Sequence, residues 1–220
     1  MFYCKIKVGE KRTKVSMRMN INKMPQEKNK LTVEKEHSVS EIAYGVKFIN
    51  PDILIEQIGI VPGISIAVFG CGTGYFVFPL ARKITQTGTI YALDILKQKL
   101  EAVESQAKLS GLSNIELKRV NLEGKNGSGL LDGSVDWVIL VNMLFQNENK
   151  GKIISESKRV LKEGGKILLI EWNEHDSSIG PKAELRIPKE QMIKLARKNG
   201  LGILKDIEVS DFHYGLILTK

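Results

Sequence analysis

Cysteine is scarce in this chain, and its two cysteines are far apart. The 220 residues include only Cys4 and Cys71. Such a pair cannot build a disulfide framework or a four-ligand zinc site, and this usage is typical of a reducing cytosol. The sequence therefore predicts a cytoplasmic protein without a structural metal.

Most of the chain also lacks a net charge of one sign, although its total charge is +8. Residues 1–35 carry ten basic and three acidic side chains, whereas residues 36–220 carry 23 and 22. Because the first segment also shows no sustained hydrophobic period, we predict a basic, disordered arm over residues 1–35 and one domain over residues 36–220. Two alternatives stay open: a true start at Met17, Met19 or Met24, or an arm that binds nucleic acid.

The sequence has no long apolar helix. The 24 residues from Ile58 to Ala81 carry no charge, but they contain five glycines and two prolines. That composition favours two shorter elements joined by a glycine loop over a membrane span. The opening MFYCKIKV is interrupted by lysines, so it predicts no secretory signal. We therefore expect no membrane association.

Short apolar runs alternate with amphipathic helical segments along the rest of the chain. This alternation predicts an α/β fold, with one Rossmann-like, doubly wound, mainly parallel sheet of seven strands and an antiparallel C-terminal strand. The predicted strands are Ile64–Phe69, Thr89–Asp94, Ile115–Val120, Val135–Val141, Lys166–Glu171, Ile203–Val209 and Phe212–Thr219.

A glycine-rich loop follows the first predicted strand. Gly70, Gly72 and Gly74 form a G-x-G-x-G pattern that leads into a helix, where bare backbone and free amides can approach a ligand. A dinucleotide site would need a third glycine at the position of Tyr75, so the spacing argues against a nicotinamide or flavin dinucleotide. Asp94 ends the second strand, where a carboxylate can accept hydrogen bonds from both ribose hydroxyls.

Three segments together resemble the class I S-adenosylmethionine-dependent methyltransferases. They are FGCGTGYF after the first strand, ALD at the end of the second, and RVLKEGGKILLIE through the fifth. The similarity extends over about residues 45–220 and is greatest to the small stand-alone enzymes of the ubiquinone and menaquinone type. The resemblance implies S-adenosylmethionine as cofactor and in-line transfer of its methyl group to a small-molecule acceptor.

The resemblance also assigns residues around the amino-acid and ribose ends of the cofactor. Gly70, Gly72 and Gly74 would pass under the amino-acid end, with Cys71 contributing backbone. Asp94 would hold the ribose.

Four further residues would contact the adenine and the methionine moiety. Ile95 would pack on the adenine, Asn121 and Leu122 would edge it, and Asn142 would face the methionine moiety. Both asparagines could instead make local turn hydrogen bonds. The family usually has an acidic residue where this chain has Val68, and that departure leaves a non-catalytic S-adenosylmethionine-binding module as an alternative.

Glu171 and His213 are the candidate catalytic residues. Glu171 ends the fifth strand, and the resemblance implies that the last strand runs antiparallel, which puts His213 at the same edge of the sheet. His175 and Tyr214 are further candidates near the acceptor. A salt bridge or cap for Glu171, and a hydrogen-bonded edge position for His213, are the structural alternatives.

More specific chemistries are less favoured. Enzymes that methylate exocyclic amines of bases have a motif with two prolines, and the segment Asn142-Met143-Leu144-Phe145 lacks both. No acidic cluster follows the fourth strand to hold a magnesium ion. We therefore expect a small-molecule acceptor rather than nucleic acid, and no metal. An RNA or protein methyltransferase that docks through the basic arm remains the alternative.

Overall fold

The structure is a computed structural model that describes residues 48–174 and 179–220. The predicted basic arm over residues 1–35 lies outside the described residues. Within the described part, no helix is both long enough and apolar enough to cross a membrane.

Seven strands form a single sheet, which confirms the predicted fold class. The order across the sheet is β3-β2-β1-β4-β5-β7-β6, and β7 runs antiparallel to both of its neighbours, while the pairs from β3 to β5 are parallel. The strands are β1 Ser65–Phe69, β2 Thr89–Asp94, β3 Ile115–Arg119, β4 Val135–Val141, β5 Leu161–Trp172, β6 Gly202–Ser210 and β7 His213–Thr219.

Five α-helices in the described residues connect these strands. They are α1 Pro51–Gln57, α2 Val77–Ile84, α3 Lys97–Leu109, α4 Lys150–Val160 and α5 Lys189–Lys198, with short 3-10 turns at Leu144–Gln146 and Ala183–Leu185. Helix α1 shows why these boundaries form: Asn50 Oδ1 accepts a hydrogen bond from the Ile53 N–H over 3.2 Å, and Pro51 fills the first helical position.

The core has two halves, one on each face of the sheet. In β1, Ala67 and Phe69 belong to one apolar cluster, and Ile66 and Val68 belong to the other. Strands of a parallel sheet that are buried on both faces read as nearly continuous apolar runs, and β1 shows this pattern.

Strand β5 begins earlier than its predicted start at Lys166. Leu161 already pairs with Val135, and the register then shifts so that Lys166 pairs with Trp137. The segment Glu163-Gly164-Gly165, whose glycines suggest a turn before the strand, is an irregularity within it, and Gly164 has a φ of +72° there. A bulge of this kind depends on the partner strand, so the local sequence reads as a turn.

The order of the strands places a crevice at one edge of the sheet. From β1 the chain proceeds outward through β2 and β3, and it then returns to place β4 on the other side of β1. The loops after β1 and β4 therefore diverge at the carboxyl edge, which is where open α/β sheets bind their ligands.

Candidate active site

A cavity of about 620 Å³ opens at this carboxyl edge, between the loops that follow β1, β2, β3 and β4. Its volume lies within the usual range for small-molecule sites. Eight of the nine residues predicted to hold a cofactor line it: Gly70, Cys71, Gly72, Asp94, Ile95, Asn121, Leu122 and Asn142.

The glycine loop needs glycine for different reasons at different positions. Gly70 and Gly72 line the cavity with φ values of +68° and +54°, a region that disfavours side chains. Gly74 has a φ of +97°, and a Cβ there would lie 2.4 Å from the ring of Phe78. The cavity lining does not include Gly74. Gly74 thus lets the loop pack closely on α2.

Asp94 connects the loops after β1 and β2. Its Oδ2 accepts a hydrogen bond from the Gly72 N–H over 3.0 Å, and its Oδ1 accepts one from the Leu96 N–H over 2.9 Å. A carboxylate oxygen has two lone pairs, so each oxygen retains capacity for a ligand hydroxyl. Ile95 and Leu96 lie about half exposed beside it and offer apolar surface to the cavity.

Asn121 lies in the cavity wall but also makes a local bond. Its Oδ1 accepts a hydrogen bond from the Glu123 N–H over 3.0 Å, which is the turn interaction raised as an alternative. The neighbouring Leu122 is buried and lines the same wall.

Cys71 contributes main chain and a protonated thiol. Its N–H donates to the Leu93 carbonyl oxygen over 2.9 Å. Burial raises the pKa of the thiol to about 12, and the nearby Asp94 charge adds to this shift. A thiol with this pKa does not act as a nucleophile at neutral pH.

Glu171 lies beneath the loop after β4, not in the cavity wall. Its side chain is 1% exposed, its Oε1 accepts a hydrogen bond from the Leu144 N–H over 2.7 Å, and its Oε2 has no hydrogen-bond partner among the described residues. Burial raises the pKa of this carboxyl to about 7, although the amides of the loop oppose the shift. Glu171 therefore supports a loop whose residues Asn142 and Met143 line the cavity.

His213 lies next to the cavity wall, in contact with Asn142. Its Nε2 is 2.9 Å from Asn142 Nδ2, and its Nδ1 is 2.7 Å from Ser210 Oγ. The ring packs on Trp172 with a centroid distance of 4.1 Å. Burial, together with the smaller effect of the Arg186 charge, lowers the pKa of His213 to about 4.

The two candidate catalytic residues point to opposite faces of the sheet. Glu171 pairs with Tyr214 across β5 and β7, and Trp172 pairs with His213 in the next register position. Since successive side chains of a strand alternate between faces, Glu171 and His213 do not converge on one reacting atom. The Tyr214 hydroxyl donates to the Ile187 carbonyl oxygen over 3.0 Å, and His175 lies outside the described residues.

The sequence of the chain matches a known family over most of the described domain. A family model described as "Methyltransferase domain" matches residues 63–201, which is more than half of the chain. The chain belongs to the class I methyltransferases. This membership confirms the predicted family, whose members use S-adenosylmethionine as cofactor.

Curated relatives of this chain have related but different names. A demethylmenaquinone methyltransferase of Lactococcus lactis is 29% identical over 53% of this chain and 45% of its own length. An arsenite methyltransferase of Aquipseudomonas alcaligenes is 22% identical over 76% and 47%, and a ubiquinone/menaquinone biosynthesis C-methyltransferase of Haemophilus ducreyi is 26% identical over 67% and 60%. The chain thus spans about half the length of the curated relatives it matches.

Solved structures confirm the fold. An S-adenosylmethionine-dependent methyltransferase from Aquifex aeolicus superposes with a TM-score of 0.72 at 20% identity, over 78% of this chain and 89% of that one. The [4+2]-cyclase SpnF superposes with a TM-score of 0.67 at 19% identity, over 77% and 80%. Since a cyclase has the same fold, the fold alone does not specify the reaction.

Two residues near the candidate site have roles that the sequence did not predict. Ser210 contacts His213 through its hydroxyl, and the short spacing of a serine three residues before a histidine is the signal that could have found it. Arg186 donates hydrogen bonds to the carbonyl oxygens of Pro181, Asn173 and Ile179, at 3.0, 3.2 and 2.9 Å, and its guanidinium lies 5.8 Å from the Trp172 ring. It therefore ties Asn173 to residues 179–181 beside Trp172, which packs on His213.

Proposed function

We propose that this chain transfers a methyl group from S-adenosylmethionine to an uncharged organic small molecule. The observation that carries the proposal is the cavity at the carboxyl edge, which joins a glycine loop after β1 to a carboxylate at the end of β2. The named activities of the relatives, quinone and arsenite methylation among them, support the same reaction class.

The residues of the cavity fit a nucleoside. Asp94 has a carboxylate oriented by two main-chain amides, with lone pairs that can accept from the two ribose hydroxyls. Ile95 and Leu96 supply apolar surface for a base beside it. The positive φ values at Gly70 and Gly72 leave bare main chain where the amino-acid end would lie. We propose Asn121 and Leu122 at the edge of the base and Asn142 beside the methionine moiety.

The chain's own contribution to transfer is alignment. When bound, S-adenosylmethionine supplies a methyl group already activated by its sulfonium sulfur. The protein must then hold the acceptor in line with that methyl group, which can lower the barrier by several kcal/mol without proton chemistry. We propose that Glu171 serves this alignment from beneath the wall, because its Oε1 fixes the Leu144 amide and thereby the loop that carries Asn142.

The charges of the cavity wall support an uncharged acceptor. Among the residues that the structure describes, the charged side chains in the wall are Asp94 and Lys99, both on the side of β2 and α3. The side formed by the loop after β4 contributes Asn142, Met143 and Gln146, which are neutral. A charged acceptor on this side would lose its hydration without gaining an ionic partner.

The state of the thiol supports an organic acceptor rather than arsenite. Trivalent arsenic is a soft centre, and soft centres are held by thiolates. Cys71 is the free cysteine of the described residues, and its raised pKa of about 12 keeps it protonated at neutral pH. The same free thiol is compatible with the cytoplasmic location that we propose.

Calorimetric titration with S-adenosylhomocysteine tests the cofactor site. We expect the wild type to bind it, and Asp94→Ala to weaken binding by about tenfold to a hundredfold, because hydrogen bonds to a charged group contribute roughly 1.5–3 kcal/mol. Glu116→Gln, which removes an exposed carboxylate from the neighbouring strand β3, is the control and should bind as the wild type does. Absence of binding to the wild type, or unchanged affinity in Asp94→Ala, contradicts the proposed site.

The acceptor class is tested by the incorporation of label from methyl-labelled S-adenosylmethionine. Neutral phenols and quinols should accept label, whereas arsenite should not. Preferential labelling of arsenite would contradict the proposed acceptor while leaving the cofactor site intact.

A further inference from the structure

The backbone of Asn142 is unusual at the end of β4. Its φ is +50°, in the left-handed region that non-glycine residues rarely adopt, and its N–H donates to the Ile170 carbonyl oxygen over 2.9 Å. Such a conformation is strained for most residues and persists when surrounding contacts determine it. Asn142 also lines the cavity, so the contacts that hold its side chain affect the shape of the site.

The side chain of Asn142 faces His213. Its Nδ2 lies 2.9 Å from His213 Nε2, whereas its Oδ1 is buried without a hydrogen-bond partner among the described residues. In this orientation of the carboxamide the amide nitrogen donates, so His213 Nε2 accepts and carries no proton.

The other nitrogen of the ring then carries the proton. His213 Nδ1 lies 2.7 Å from Ser210 Oγ, which also accepts from the Phe212 N–H over 3.2 Å. Both Ser210 and His213 are buried, and Trp172 covers the ring. Every contact of the imidazole therefore favours a neutral ring with its proton on Nδ1.

We propose that Ser210 and His213 are positioning residues that hold the Asn142 side chain at the edge of the cavity through two successive hydrogen bonds. Ser210 holds the Nδ1 edge of the His213 ring, and His213 in turn orients the carboxamide of Asn142. The Nε2 lone pair is committed to Asn142, so His213 acts through that residue rather than by taking a proton from the acceptor. The consequence for ligand affinity rests on the proposed function, whereas the tautomer does not.

We call the two hydrogen bonds from Ser210 through His213 to Asn142 the relay. Nitrogen-15 NMR of the histidine rings tests it directly. The chain has three histidines, and the spectrum of His213→Gln identifies the His213 signals. We expect the Nδ1–H tautomer at pH 7, with no protonation of this ring above pH 5. A ring with its proton on Nε2, or one that titrates near its ordinary pKa of 6.5, overturns the proposal.

Ser210→Ala tests the first bond of the relay. Without the hydroxyl that bonds Nδ1, the His213 ring should lose its fixed orientation, and the side-chain NH₂ signals of Asn142 should shift. Ser105→Ala is the matched control, since its hydroxyl is exposed on α3 and bonds only within its helix in the described structure. Unchanged Asn142 signals in Ser210→Ala overturn the proposal.

Two substitutions of His213 separate positioning from packing. His213→Phe keeps a ring against Trp172 but removes both hydrogen bonds, whereas His213→Gln retains an amide oxygen and an amide N–H. We expect S-adenosylhomocysteine affinity to fall by about threefold to tenfold in His213→Phe and to stay within twofold of wild type in His213→Gln. Equal affinities in the two variants overturn the positioning role. Failure of the wild type to bind S-adenosylhomocysteine contradicts the proposed function instead, and the NMR results on the wild type decide the relay even if His213→Phe does not fold.

Discussion

The carboxylate of Asp94 accepts a hydrogen bond from the main-chain N–H of Gly72 over 3.0 Å, so a side chain at the end of β2 determines the shape of the loop after β1. The same carboxylate accepts from the Leu96 N–H and thereby also fixes the chain that enters α3. A group that is proposed to bind a ribose is therefore held in place before any ligand arrives, which reduces the entropy lost on binding.

Asp94→Asn should destabilise the fold as well as the site. The substitution keeps the shape of the side chain, but one acceptor oxygen becomes an NH₂ group that faces a backbone N–H. We expect the free energy of unfolding in urea to fall by about 1–3 kcal/mol, since one main-chain amide loses its partner. Glu116→Gln should remain within about 0.5 kcal/mol of the wild type. Equal stability of Asp94→Asn and wild type would mean that the carboxylate does not hold the loop.

Gly74→Ala and Gly59→Ala should differ in cost although both glycines have positive φ. At Gly59 the added Cβ would meet no atom within 4 Å, whereas at Gly74 it would lie 2.4 Å from the Phe78 ring. We expect Gly59→Ala to lower the free energy of unfolding in urea by about 1–2 kcal/mol, from backbone strain alone. Gly74→Ala should lower it by about 2–4 kcal/mol, because overpacking adds to the strain.

A double-mutant cycle isolates that overpacking. In a Phe78→Ala background the clash is removed, so Gly74→Ala should cost at least about 1 kcal/mol less than it does in the wild type. An equal cost in both backgrounds would assign the whole effect to the backbone.

Cys71 should react slowly with thiol reagents. Its pKa of about 12 leaves roughly a thousandth of the thiolate that a cysteine at the ordinary value of 9.0 would have at pH 8. In a Cys4→Ser background, alkylation by iodoacetamide at pH 8 should be at least about a thousandfold slower in the folded protein than in urea. Comparable rates in the two states would show that the thiol is accessible and ionised.

The sequence predicted the elements whose signals are local. The bounds of β2 and β4 match their predicted ranges, because each is a largely apolar run whose end is marked by a polar residue, Asp94 or Asn142. The early start of β5 depends on its pairing with Val135, which no local pattern encodes.

The same distinction explains the site. The glycine loop and Asp94 were predictable because each follows directly from a strand end. The separation of Glu171 and His213 to opposite faces follows from the register between β5 and β7, and the contact of Ser210 with His213 follows from the turn between β6 and β7. The first depends on pairing between strands, which residue type and spacing do not encode, whereas the three-residue spacing is the only sequence signal for the second.

Glu171 and His213 should make opposite contributions to the pH dependence of stability. The pKa of Glu171 is raised from 4.5 to about 7, so the folded state binds its proton more tightly than the unfolded state, and stability is lost as pH rises from about 4.5 to about 7. The pKa of His213 is lowered from 6.5 to about 4, so stability is lost as pH falls from about 6.5 to about 4. Each shift corresponds to about 3 kcal/mol. In the wild type the two contributions largely cancel between pH 4.5 and 6.5.

Single substitutions should expose the two opposing terms in urea unfolding followed at pH 4.5, 6 and 7.5. The free energy of unfolding of Glu171→Gln, taken relative to that of the wild type, should rise by about 3 kcal/mol as the pH rises over this range. The reason is that the wild type must ionise a buried carboxyl in the folded state and the variant does not. The free energy of unfolding of His213→Gln, relative to the wild type, should instead fall by a similar amount. The wild type gains stability as the pH rises because its buried ring stays neutral when folded, and the variant lacks that gain. The difference between low and high pH is the decisive quantity, since a pH-independent packing cost of either substitution cancels from it. Parallel pH profiles for the two variants would contradict the opposite titration of these residues, and with it the neutral imidazole on which the orientation of Asn142 depends.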